Sequence, residues 1–100
     1  TFTPTPTFTP TPTATAFPVT AYFTAISDGK TVTFTNLSTG ADSYIWDFDD
    51  GEQSLDIDPV HKYNVGGSTY YFDVELTAYG PGGSDTYVMH DLKIVGAIID

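Results

Sequence analysis

The stretch Tyr44-Ile45-Trp46-Asp47-Phe48-Asp49-Asp50-Gly51 decides how this chain folds. In an extended strand successive side chains point to opposite faces. Tyr44, Trp46 and Phe48 then share one face, and Ile45, Asp47 and Asp49 share the other. Ionised carboxylates are rarely buried unpaired, so the aromatic face points inward. Asp50-Gly51 supplies the turn that ends the strand.

Outward from this stretch the same alternation recurs. Tyr70, Phe72, Val74, Leu76 and Ala78 share a face, opposed by Tyr71, Asp73, Glu75, Thr77 and Tyr79. The acids again mark the outer side, and Val32 and Phe34 are the expected core partners. The pattern predicts strands at 19–25, 31–37, 43–49, 60–63, 70–79 and 85–95, with a short strand near 52–56. Turn signals separate them at Asp28-Gly29, Thr39-Gly40, Asp50-Gly51, Gly66-Gly67 and Gly80-Pro81-Gly82-Gly83. No apolar run at helical spacing outlasts a single turn. The expected fold is all-β, a sandwich or a barrel, and a Trp such as Trp46 buried on a middle strand is a feature of immunoglobulin-like sandwiches.

The segment Tyr44–Gly51 resembles the Y-x-W-D-F-G-D-G signature of PKD (polycystic kidney disease) domains. Pro59-Val60-His61-Lys62-Tyr63 is similar to that family's P-x-H-x-Y. The run from Gly67 to Ala78 is similar to its G-T-Y-x-V-x-L-T-V strand, and Gly83-Ser84-Asp85-Thr86 to its G-S-D-T. The resemblance covers about residues 18–95. It implies that Trp46, Asp47, Phe48, Gly51, His61 and Tyr63 form the fold motif, with His61 a hydrogen-bonded core residue. It also implies an immunoglobulin-like seven-stranded β-sandwich, in a secreted or surface-exposed protein, without enzymatic activity. Asp49 departs from the family pattern, standing where the family has glycine.

Residues 1–18 are of a different kind and read TFTPTPTFTPTPTATAFP. Thr1, Thr3, Thr5, Thr7, Thr9, Thr11, Thr13 and Thr15 alternate with Phe, Pro and Ala, and the hexad TFTPTP occurs twice. The prolines forbid a helix interior and push the residues before them into extended geometry. Threonine then forms one stripe, and Phe, Pro and Ala the other. Such a tract is a semi-rigid linker or an O-glycosylated stalk with those threonines as acceptors. It is also a peptide able to dock on an open sheet edge, anchored by Phe2, Phe8 and Phe17. The expected organisation is an extended arm at 1–18, the sandwich at 19–95 and an apolar extension at 96–100. Ile98 and Ile99 lie past the last strand and form a second candidate partner contact.

The chain has 100 residues, 3 basic and 13 acidic side chains, a net charge of −10 and no cysteine. One domain of this size buries about 60–65% of its unfolded surface, so its core is thin. Net acidity without a basic cluster excludes nucleic acid and anionic membranes as partners. No apolar run is long enough to span a bilayer. No basic-then-apolar leader opens the chain, so any secretion signal is expected to lie outside this sequence. Zero cysteine excludes thiolate metal sites and leaves the redox compartment open.

Candidate chemistry is sparse. Asp47, Asp49 and Asp50 are candidate calcium ligands, since calcium takes oxygen donors and the resemblance implies it, some PKD-like domains binding calcium through the aspartates of this motif. The competing reading is a solvated acidic face. No other cofactor is expected. His61 and His90 are too few for a zinc site, and nothing groups Ser43, Ser54 or Ser84 with a histidine and an orienting acid. Tyr71 and Tyr79, with Tyr87 placed beside them, form a candidate outer face for stacking on polysaccharide. Asn36-Leu37-Ser38 matches the N-glycosylation acceptor pattern.

The expected function is therefore a non-catalytic structural or adhesion subunit of an extracellular or cell-surface assembly, such as a glycoprotein filament. Its partners would be copies of itself or a neighbouring domain. The alternative is an accessory spacer or carbohydrate-binding module of a larger secreted hydrolase or adhesin.

Overall fold

A computed structural model describes residues 17–96. The threonines of 1–15, Phe2, Phe8, Ile98 and Ile99 lie outside the described residues. The strands are β1 (Phe23–Asp28), β2 (Thr31–Asn36), β3 (Ser43–Asp47), β4 (Gln53–Ser54), β5 (Val60–Lys62), β6 (Thr69–Gly80) and β7 (Gly83–Val95). They form a three-stranded sheet in the order β1-β2-β5 and a four-stranded sheet in the order β4-β3-β6-β7. All pairings are antiparallel. The all-β, seven-stranded sandwich that the resemblance implies is the fold that forms.

The core lies where the inward faces meet. One sheet contributes Phe23, Val32 and Phe34; the other contributes Trp46, Val74, Leu76 and Ile94; Phe48 and Tyr63 close one end. Trp46 is completely enclosed. Its ring lies 4.8 Å from Phe23 and 5.2 Å from Phe34, tilted rather than face to face, as ring quadrupoles prefer.

Three details differ from expectation. β1 begins at Phe23 rather than at 19. Pro18 has no N–H to give, and the Ala21 N–H is taken by Asp85 Oδ2 at 2.8 Å, so the 19–22 stretch makes no regular ladder and meets the segment after β2 through the bridge between Thr20 and Thr39 and the Leu37 N–H on the Tyr22 carbonyl. β4 is two residues long. Tyr87 is not on the outer face. It pairs with Leu76 across the hairpin, so it shares Leu76's inward face and packs edge-on to Phe23 at 5.4 Å.

A bulge explains that last error. The β6–β7 register shifts between Phe72 and Val74, so Asp73 faces both His90 and Asp91. Inward residues of β7 are therefore Tyr87 and Met89 before the bulge, and Leu92 and Ile94 after it.

Phe17 and Pro18 cross the end of the sandwich against glycines. Gly40 has φ +77°, and a Cβ there would lie 2.5 Å from the Pro18 carbonyl oxygen. A Cβ at Gly82 would overlap the Phe17 carbonyl oxygen. Only glycine permits both approaches.

Candidate functional site

The turn after β3 gathers most of the motif residues. Asp49 sits at φ 69°, in the left-handed region that glycine enters freely and Asp tolerates. Its neighbours hold it there. Asp47 Oδ1 accepts the Asp49 N–H at 3.0 Å, and Asp49 Oδ2 accepts the Asp73 N–H at 2.9 Å. Asp73 Oδ1 in turn accepts the Asp91 N–H at 2.9 Å, and Asp91 also has positive φ, 59°. A relay of three carboxylates thus ties the β3 turn to the β7 bulge.

Asp50 forms the second arm of the cluster. Its Oδ1 accepts the Glu52 N–H at 3.0 Å, and its Oδ2 lies 2.7 Å from His61 Nε2. His61 is buried, and its ring stacks on Phe48 at 4.0 Å and meets Tyr63 edge-on at 4.6 Å. The Tyr63 hydroxyl donates to the Phe48 carbonyl at 2.9 Å. Burial pushes the Tyr63 phenol well above its ordinary value, and the nearby charges of Asp50, Asp49 and Asp47 push the same way. Trp46 Nε1 donates to the Asp56 carbonyl at 2.9 Å, which fixes the chain beyond β4.

Among the described residues the one group with metal-ligand character is Asp50, Glu52 and His61. Glu52 escaped the sequence reading, because only the fold of the 48–61 segment brings it to His61. The group does not fit a metal well. Asp50 faces Nε2 at 2.7 Å and Glu52 faces Nδ1 at 3.9 Å, on opposite sides of the ring. A metal takes a single ring nitrogen. Four of the six carboxylate oxygens of Asp47, Asp49 and Asp50 already meet polar groups of the chain. This end of the domain is a hydrogen-bonded clamp.

The remaining candidates are dispersed. Tyr71 and Tyr79 are exposed. They stand eight residues apart on β6, about 27 Å at the rise of a strand. That is too far to grip one sugar ring together. Asn36 Oδ1 accepts the Ser38 N–H at 3.0 Å, while Asn36 Nδ2, the atom a glycan would join, is enclosed without a hydrogen-bond partner. Ser54 Oγ accepts the Asp56 N–H at 3.1 Å, as a turn residue does.

The sequence reading also missed a groove of about 350 Å³ along the β3 edge. Ile45 and Tyr79 form its floor, Leu55 and Ile57 one wall, and Tyr44 and Asp42 line it further. Leu55 and Ile57 are largely exposed, at 74% and 61%. Their spacing gave no warning, since they follow a two-residue strand.

No family model matches the chain, and no curated protein matches it in sequence. Solved structures do. The PKD1 domain of Vibrio anguillarum Epp is 25% identical with a TM-score of 0.68, covering 80% of this chain and 96% of that one. The PKD1 domain of the Vibrio cholerae metalloprotease PrtV is 27% identical with a TM-score of 0.68, covering 79% and 99%. The likeness spans nearly the whole of each domain, and the Trp46–Gly51 and His61–Tyr63 motifs meet in one cluster. The body of this chain has the fold of these PKD domains.

Within this fold the relay makes a pH prediction. The Asp73 carboxyl is held below its ordinary value, chiefly by the Asp91 N–H and also by His90, whose Nδ1 is 3.5 Å away. The folded domain therefore keeps this charge to lower pH than the unfolded chain does. Its contribution is present above the unfolded carboxylate range and is lost as pH falls through the lowered value. Asp73→Asn keeps an acceptor for the Asp91 N–H but cannot titrate. Its denaturation midpoint should fall less than the parent's between pH 6 and pH 3, and parallel curves would refute the relay's electrostatic role.

Proposed function

We propose that this PKD-like domain is a non-catalytic structural unit of an extracellular or cell-surface assembly, joined to a neighbouring copy through its Thr/Pro arm. The observation that carries this reading is the clamp itself. The acids and the buried histidine of the motif are engaged by the domain's own N–H groups and by one another. They hold the shape of the body and leave little for a substrate to use. The arm carries no charge, whereas 12 of the 13 acids of the chain lie in the body. An uncharged strut can approach a strongly acidic body without repulsion, where a second body cannot. The threonine stripe offers hydroxyls for O-glycans on the side away from the anchors.

Sedimentation of the intact chain beside a chain beginning at Phe17 tests this reading. The intact chain should form species larger than one copy, and the shortened chain should stay folded and monomeric. Equal association by both would refute it.

The likeness to a domain of a metalloprotease supports a second reading, an accessory spacer within a larger hydrolase or adhesin. There the arm is only a linker, and both proteins sediment as monomers.

A further inference from the structure

We propose that the groove beside β3 receives the Thr/Pro arm of a second copy, which adds to the four-stranded sheet as an edge strand with Phe8 in the cavity. This rests on the reading that the arm joins copies, and it names the surface that receives it.

The first support is an open sheet edge. β4 pairs with β3 only at Trp46 and Asp47. The Phe48 N–H donates to the Glu52 carbonyl at 3.2 Å, and Trp46 faces Ser54, so even-numbered residues of this stretch turn their main-chain groups toward β4. By the same alternation the Tyr44 N–H and carbonyl point past the end of β4, where no strand lies among the described residues. Unpaired edges of this kind are templates for an added strand. The groove of Ile45, Leu55, Ile57 and Tyr79 lies directly beside that edge.

The second support is the pattern of the arm. Pro4, Pro6, Pro10 and Pro12 all occupy even positions, and every odd position from 1 to 15 is threonine. In a strand, residues of one parity present N–H and C=O to one side. The threonine edge therefore has a donor at every turn of the pleat, and the proline edge lacks them. Such a segment joins a sheet through one edge only and caps it against further addition. Phe8 lies on the proline face, in the second hexad, with threonines on both sides.

The third support is the course of the chain into the body. Pro18 lies beside Gly40, near the start of β3, and Phe17 beside Gly82 in the β6–β7 turn. From Pro18 to Phe17 the chain thus steps across the sheet end, from the start of β3 toward the β6–β7 turn. The sixteen residues before Phe17 can extend about 50 Å, enough to reach another copy.

The absence of cysteine makes the test clean. Full-length Pro6→Cys or Pro10→Cys protein is mixed with full-length Leu55→Cys protein under mild oxidation. Disulfide-linked heterodimers should form at least tenfold faster than with Val60→Cys, which is exposed on the other sheet. Full-length Leu55→Lys/Ile57→Lys should lose the large species seen by sedimentation. Equal linking to Val60→Cys, no linking, or linking only within single chains carrying both cysteines would overturn the proposal. If removal of 1–16 abolishes association but the lysine pair does not, the groove is the wrong site and the joining role stands. If the lysine pair abolishes association and removal of 1–16 does not, a body-to-body contact replaces the arm. If the intact chain is a monomer throughout, the joining role itself fails.

Discussion

Trp46→Ala is expected to destabilise the domain by about 3–5 kcal/mol. The indole is completely enclosed, flanked by Phe23 and Phe34 and lying 6.3 Å from Phe48, so removing it leaves a cavity that both sheets line. It also removes the hydrogen bond from Nε1 to the Asp56 carbonyl, which anchors the segment carrying Leu55 and Ile57. Small domains hold about 5–15 kcal/mol in total. The variant should therefore sit near its unfolding threshold at room temperature. Urea denaturation measures this, and a loss below about 1 kcal/mol would mean that the two sheets do not close on Trp46.

Tyr63→Phe gives the second large effect, through a polar group. The phenol is fully buried, stacks on Phe72 at 4.2 Å and satisfies the Phe48 carbonyl. Loss of the hydroxyl strands that carbonyl at a cost of about 1–3 kcal/mol. A pH signature distinguishes this from simple loosening. The folded phenol holds its proton far above the ordinary tyrosine value, because burial and three aspartates oppose the phenolate. The stabilisation it gives is complete below pH ~10 and is lost as pH rises above that, since the unfolded chain gives up the proton first. The parent domain should lose stability steeply from about pH 10 upward, and Tyr63→Phe should lose less over the same interval. Identical alkaline curves would show that Tyr63 is not enclosed.

Much of this was legible because acids declare the outer face. Asp47 and Asp49 oriented β3, and Asp73 and Glu75 oriented β6, so Trp46, Phe48, Val74 and Leu76 were placed in the core from alternation alone. Tyr87 was misplaced because alternation in β7 is interrupted. The bulge at His90 and Asp91 shifts the inward residues from odd to even numbers. Two aspartates at positive φ allow that bulge and the β3 turn, and Asp enters that region without the certainty of glycine. The clamp of Asp50 with His61 and Glu52 joins residues about ten apart through an irregular segment, which no period encodes. The groove was hidden for a related reason. It exists because β4 stops after two residues, and the length of an edge strand is set by tertiary packing rather than by local propensity.

The cluster of motif residues therefore has a structural meaning. It rigidifies one end of the sandwich, and the open β3 edge lies on the same four-stranded sheet. In the proposed assembly the acidic body and the uncharged arm would be complementary parts of a repeating unit. Head-to-tail contacts between such units build open chains unless their rotation closes a ring.

The most direct measurement mixes isotopically labelled and unlabelled full-length chains and detects proton contacts between different copies. The account expects contacts from the Phe8 ring of one copy to Leu55 and Ile57 of another, and their loss on removal of residues 1–16. Arm contacts confined to a single copy, or none to any body, would contradict it.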